Sequence, residues 1–290
     1  MFAITGITGQ VGSSVARSLL AAGRSVRAVV RDPRRAQSWA ELGCQVVQAD
    51  IHDAAALESA FAEAEGVFIL APPNFDPEPG FPEARSLATT LRSALLAARP
   101  GKVVYLSTIG AQSAESNLLT QHTILEQELC DIPVPITFLR PAWFLENASW
   151  DVAPARQTGV IPSFLQPLDR PVPMVGTADI GRVAAELLQE SWSGIRVVEL
   201  EGPSRTSPNQ IAAAFAELLG RPVRAEAVPR ATWESLFRSQ GMQNPTPRIR
   251  MLDGFNEGWI DFESKPHRTR KGEVPLNEVL KTLIDRGSPS

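Results

Sequence analysis

The chain has 290 residues, enough for one large core or two modest lobes sharing an interface. Hydrophobic residues make up 43% and charged residues 21%, an ordinary globular mix, and a net charge of −4 gives no reason to expect nucleic acid as the main partner. No apolar run is long enough to cross a bilayer and the N-terminus has no signal-peptide pattern, so a cytoplasmic protein with no membrane partner is expected.

Apolar runs of strand length alternate with helical spacings from the N-terminus onward. Residues 2–5 read as the first strand, and Val11, Val15, Leu19 and Leu20 then recur at helical intervals. Strands follow at 26–30 and 45–49, and Asp53 caps a helix over 54–64 in which Leu57 and Phe61 share a face. A buried strand at 67–71 leads through a proline-rich loop to a long helix at 83–98. Residues 103–107, a helix at 118–130 and a strand at 136–140 continue the rhythm, which breaks over 144–175. Asp179 then caps a helix through Leu188, 197–200 read as a strand, and the tail from Ser207 is mostly helical, with Pro208 in a first helical turn.

Strands alternating with helices predict an α/β fold, a Rossmann-type doubly wound parallel sheet covered on both faces. The expected division is 1–143 for the nucleotide-binding sheet, to which 176–202 return, with 144–175 and 203–290 as a smaller, mostly helical substrate lobe. Cys44 and Cys130 lie too far apart to suggest a disulfide framework and read as buried free thiols. The basic HRTRK stretch at 267–271 reads as a solvated surface strip.

The first strand–helix junction carries Gly6, Gly9 and Gly12. Closely spaced glycines there let the chain turn tightly, let backbone N–H groups approach a pyrophosphate, and let the helix pack on its strand. A plain flexible turn is the alternative. After the second strand an NAD-binding chain usually offers a carboxylate to the ribose, whereas VVRDPRRA offers Arg31, Arg34 and Arg35, which suit the 2′-phosphate of NADP(H). Asp32 is the competing feature, since its carboxylate could turn toward the ribose instead.

The segments TGITGQVG, VVRDP, QADIHD, FLRPAWFLEN and VELEGP together resemble the NmrA-like proteins, atypical members of the short-chain dehydrogenase/reductase superfamily. QHTILEQEL and LDGFNEGWIDFESK add a likeness to the NADPH-dependent quinone oxidoreductase branch. The resemblance implies that Gly6, Thr8, Gly9, Gln10 and Val11, with Gly12, line the pyrophosphate of NADP(H). It also implies that Arg31 meets the 2′-phosphate, to which the basic turn adds Arg35, and that Asp50 and Ile51 border the adenine. Ala71, Pro72 and Pro73 would run beside the ribose, and Pro141, Ala142, Trp143 and Phe144 would approach the nicotinamide.

One departure matters. Typical short-chain dehydrogenases use a Tyr-x-x-x-Lys pair to move a proton. Here the one tyrosine, Tyr105, sits in a strand with no lysine at the needed spacing, and Leu118 and His122 occupy the places where the pair is expected. His122 and Glu126 share a helix face, so the carboxylate could hold the imidazole charged for proton donation, or simply satisfy a structural histidine. Ser107, at a strand end, could bond a substrate oxygen or the cofactor, or serve as a buried structural hydroxyl. His52, His122 and His267 look scattered, and no metal site is expected. Trp143, Phe144, Trp150 and Trp259 could form a flat apolar slot over the nicotinamide, or belong to the lobe core.

Two functions are therefore expected to compete: hydride transfer from NADPH to a quinone or similar conjugated small molecule, and non-catalytic sensing of NADP(H) through a protein partner. A homodimer stays open.

Overall fold

The computed structural model describes residues 1–263 and 269–286. The alternating half of the chain runs β1 (Phe2–Thr5), α1 (Gln10–Ala21), β2 (Val26–Val30), α2 (Gln37–Glu41), β3 (Gln45–Gln48), α3 (Ala54–Phe61), β4 (Gly66–Leu70), α4 (Pro82–Ala98), β5 (Val103–Leu106), α5 (Thr120–Leu129) and β6 (Ile136–Pro141). Shorter pieces follow: β7 (Trp143–Phe144), α6 (Val152–Gln157), β8 (Val160–Ser163), β9 (Met174–Val175), α7 (Thr177–Gln189) and β10 (Ile195–Glu201). The tail is α8 (Pro208–Leu219), β11 (Arg224–Ala227), α9 (Trp233–Ser239), α10 (Thr246–Glu257), β12 (Arg270–Lys271) and α11 (Leu276–Arg286).

Eight strands form one sheet in the order β12-β10-β6-β5-β4-β1-β2-β3, and every pair in it is parallel. The apolar character of the central strands β1, β4 and β5 has a direct cause, because both of their faces are covered. Alternate residues point to opposite faces. Phe2 and Ile4 of β1 pack with Phe68 and Val104 against α1 and α7, while Ala3, Val67, Ile69 and Tyr105 pack under α3, α4 and α5. Winding reverses between β1 and β4, which pair directly as Phe2↔Gly66 and Ile4↔Phe68. Ligands of such sheets bind beyond the carboxyl ends of the strands at that reversal.

Beside the sheet, Leu145, Val152, Phe215, Phe255, Ile260 and Leu280 belong to a third apolar cluster, and Trp233, Phe237, Ile249 and Leu252 form a fourth. α8 starts as its sequence dictates: the Ser207 hydroxyl accepts from the Gln210 N–H, the Gln210 side chain accepts from the Ser207 N–H, and Pro208 fills the first turn.

Several expectations are corrected. Gly176, not Asp179, precedes the first turn of α7, and Asp179 is buried inside it, accepting from the N–H groups of Glu273 and Val274 and from Arg182. Cys44 is buried as expected, whereas Cys130 is exposed at the end of α5. Of the HRTRK stretch, His267 and Arg268 lie outside the described residues. Arg270 and Lys271 form an edge strand on β10, with Arg270 paired to Glu190 and Lys271 to Glu201. Among the described residues, no helix is long and apolar enough to cross a membrane.

Candidate functional site

The turn between β1 and α1 is built around backbone geometry that only glycine supplies at two places. Gly6 has φ +64°, and a Cβ on Gly12 would stand 2.2 Å from the Gly6 carbonyl oxygen. The Gly9 N–H donates to that same carbonyl at 2.9 Å. This close approach sets the head of α1 directly beyond β1. No side chain caps α1 and no acidic residue lies in its first turn. The leading N–H groups, with the positive end of the helix dipole, are thus left for an anion.

Beside this turn lies a polar cavity of about 340 Å³, lined by Thr8, Ser13, Arg17, Arg35, Ser38 and Trp39 among others. The structure thus brings Arg35 and Thr8 together and adds Arg17, which the sequence reading missed; its place four residues after Ser13 on α1 was the available signal. Arg17 lies over the Trp39 ring at 5.5 Å. Asp32 is turned away from competition: Arg34 grips its carboxylate through two bonds of 2.9 Å, which hold its pKa below the usual carboxylate value. Arg31 is exposed after β2 and is not among the residues lining this cavity. The donor set fits a dinucleotide diphosphate with an added phosphoryl group, because the uncapped helix head and the Arg17–Arg35 pair supply N–H and guanidinium donors on one side of the turn.

Asp50 forms a tight turn, its carboxylate accepting the His52 N–H at 2.9 Å, and Ile51 packs against the α3–α4 face of the core. A second cavity, about 300 Å³ and largely apolar, opens between the β4–α4 loop and α5. Ala71, Pro72 and Pro73 line it, with His52, Leu87, Leu118 and His122. Two of the histidines that look scattered in sequence therefore share one cavity, and His267 lies outside the described residues. The loop is tied down at its far end, where the Asp76 carboxylate accepts the N–H groups of Gln243 and Asn244.

The side chains around α5 pair differently from their spacing. Glu126 does not meet His122. It is buried against Arg140, which donates to it at 2.9 and 2.6 Å, and it accepts the Ser107 hydroxyl at 2.5 Å. Arg140 also reaches Glu263 at 2.7 Å. Ser107 thus spends its proton inside the fold. His122 instead holds Tyr105, with the phenol oxygen 2.8 Å from Nδ1. Burial, with no carboxylate beside it, pushes the His122 pKa down to about 4, opposite to the direction its neighbour on the helix suggests.

Pro141 and Ala142 are buried at the end of β6, Ala142 within the core beneath α1 and α7. The four aromatic residues do not gather into one slot. Phe144 packs on the core beneath α1 and α7, Trp143 stands edge-on to Phe255 at 5.1 Å, and Arg250 covers Trp259. Trp150 is 74% exposed. Among the described residues, no group of three or more His, Cys, Asp or Glu side chains is arranged to hold a metal ion.

Known proteins resemble this arrangement over most of its length. Quinone oxidoreductase 2 of Escherichia coli is 30% identical over 247 residues, covering 83% of this chain and 82% of that protein. A furanone-phosphate reductase of Streptomyces griseus, (4-alkanoyl-5-oxo-2,5-dihydrofuran-3-yl)methyl phosphate reductase, is 33% identical over 230 residues, or 78% and 76% of the two chains. The crystal structure of an NADPH-dependent quinone oxidoreductase from Escherichia coli, complexed with NADPH, superposes with a TM-score of 0.81 at 26% identity, covering 98% of this chain and 100% of that one. The profile of the NmrA-like family matches residues 1–261, and the chain belongs to that family.

Proposed function

We propose that this protein is an NADPH-dependent reductase of quinones or similarly conjugated carbonyl compounds. The observation that carries the reading is the open, apolar cavity that joins the β4–α4 loop to His122 at the carboxyl end of the sheet, the end that also carries the glycine turn. Similarity to a quinone oxidoreductase and a furanone-phosphate reductase supports the same class of chemistry. A non-catalytic sensor needs no room for an acceptor, so a cavity beside His122 weakens that alternative.

When bound, NADPH supplies a hydride. The head of α1, from Gly9 to Gly12, would hold its diphosphate, and Arg35 with Arg17 its 2′-phosphate. Ala71, Pro72 and Pro73 would border the ribose and the acceptor would lie against Leu118 and His122, where apolar walls orient it and exclude water. What these residues lack decides the acceptor. Tyr105 is fully buried with its pKa pushed well up by burial, so no tyrosine here can act as the usual acid. A simple ketone reduced without a strong donor would leave a localised alkoxide. A quinone gives a delocalised hydroquinone anion that takes its proton from water, so orientation carries more of the reaction.

The test is NADPH oxidation followed by absorbance with a panel of quinones and simple ketones. Rapid oxidation with quinones and little with ketones is expected. Tight NADPH binding without turnover of any acceptor would overturn the reading.

A further inference from the structure

Tyr105 is the one tyrosine of the chain, and it is fully buried in β5. A phenol has one proton to donate, and His122 Nδ1 is its hydrogen-bond partner. Were the imidazole the donor, the phenolic proton would be stranded inside the sheet at the cost of an unsatisfied buried group. The hydroxyl therefore donates to Nδ1, and the neutral ring carries its own hydrogen on Nε2. That nitrogen bonds to no described residue, yet it is not among the sealed, unpartnered polar atoms, and His122 lines the apolar cavity.

We propose that the Nε2–H of neutral His122 donates a hydrogen bond to the carbonyl oxygen of the acceptor, and that Tyr105 is the positioning residue that fixes its tautomer and ring. This rests on the reductase reading above. The surroundings keep the ring neutral. On its own helix Glu126 is committed to Arg140 and Ser107, Tyr105 faces it from β5, and His52 and Glu83 are the other titratable groups lining the cavity.

The electron balance defines the substrate. Hydride released as the nicotinamide C4–H bond breaks, leaving oxidised cofactor, would add to one end of the conjugated system, the β-carbon of an enone or one carbonyl oxygen of a quinone, and the displaced π pair would settle on the carbonyl oxygen at the other end. Nε2–H stabilises that oxyanion without surrendering its proton, because neither an imidazolate nor a buried tyrosinate is accessible. Water supplies the proton afterwards. One hydrogen bond suffices only where the oxyanion is already delocalised, which selects quinones and conjugated carbonyls over isolated ketones.

His122→Ala, His122→Gln and Tyr105→Phe test this together. His122→Ala should lower kcat with a quinone by about 10- to 100-fold, with NADPH affinity by fluorescence titration unchanged. His122→Gln, which keeps an N–H donor, should recover part of that loss. In ¹⁵N NMR of histidine-labelled protein at neutral pH, His122 should be the Nε2–H tautomer, and Tyr105→Phe should mix the tautomers. An Nδ1–H tautomer in the wild type would overturn the proposal. So would a parallel loss of NADPH affinity in His122→Ala, which would give the donor to the cofactor instead. Wild-type turnover untouched by His122→Ala sinks only the donor, whereas a wild type inert toward every quinone sinks the reductase reading itself.

Discussion

Glu126→Leu should be one of the costliest single changes in the chain, although Glu126 touches neither proposed ligand. Glu126 is 8% exposed, and its carboxylate receives two bonds from Arg140, itself 5% exposed, and one from Ser107. Removing it leaves a buried guanidinium with the rim carboxylate of Glu263 and the amide of Gln112, and an unpaired hydroxyl on Ser107. Breaking a buried pair from one side costs about 3–5 kcal/mol, or a fall of roughly 6 °C or more in Tm for a chain of this size. Arg140→Met should cost a similar amount by stranding the carboxylate. The double variant should recover most of the loss, because two apolar side chains of similar volume no longer leave an unpaired charge. Urea and thermal unfolding of all four proteins measure a coupling expected to exceed about 2 kcal/mol. Additive losses in the double variant would refute the reasoning and make the two residues independent packing elements.

Gly12→Ala should abolish NADPH binding and destabilise the fold by about 1–3 kcal/mol, since the new Cβ meets the Gly6 carbonyl oxygen at 2.2 Å; fluorescence titration and thermal melting would show both. Arg17→Ala and Arg35→Ala should each weaken NADPH binding by about 10- to 100-fold and leave NADH affinity unchanged, by calorimetry, since each removes one donor to the extra phosphate. Asp151 has its pKa raised by burial to about 7 against 3.8 in the unfolded chain. The folded state therefore holds more protons between these values, and stability should be full below about 4 and fall as pH rises toward 7. Asp151→Asn should flatten that slope in urea unfolding between pH 4 and 8, and an unchanged slope would refute it.

The middle of the sheet was legible because its strands are covered on both faces and so read as mostly apolar runs, as at residues 2–5 and, broken only by Arg27, at 26–30, where predicted and observed ends coincide. β12 was not legible: it is two charged residues, Arg270 and Lys271, that become a strand only because β10 offers a free edge. Asp179 reads locally as a helix cap, yet its carboxylate serves the backbone of Glu273 and Val274 nearly a hundred positions later. The site divides in the same way. Glycine spacing showed the head of α1, because that geometry is local. The pairing of Glu126 was hidden, because helix spacing offered it His122 while the fold offered a fully charged, two-pronged Arg140 from β6. Tyr105 reads as a strand residue, and only the packing of α5 on β5 brings its hydroxyl to 2.8 Å from His122 Nδ1.

The central claim is that the turn after β1 and the Arg17–Arg35 cavity hold NADPH. Parallel calorimetric titrations of the wild-type protein with NADPH and NADH test it most directly. The account predicts saturable binding of NADPH at least about tenfold tighter than NADH, as one guanidinium–phosphate contact requires. Equal affinity for the two, or heat from neither, would contradict it.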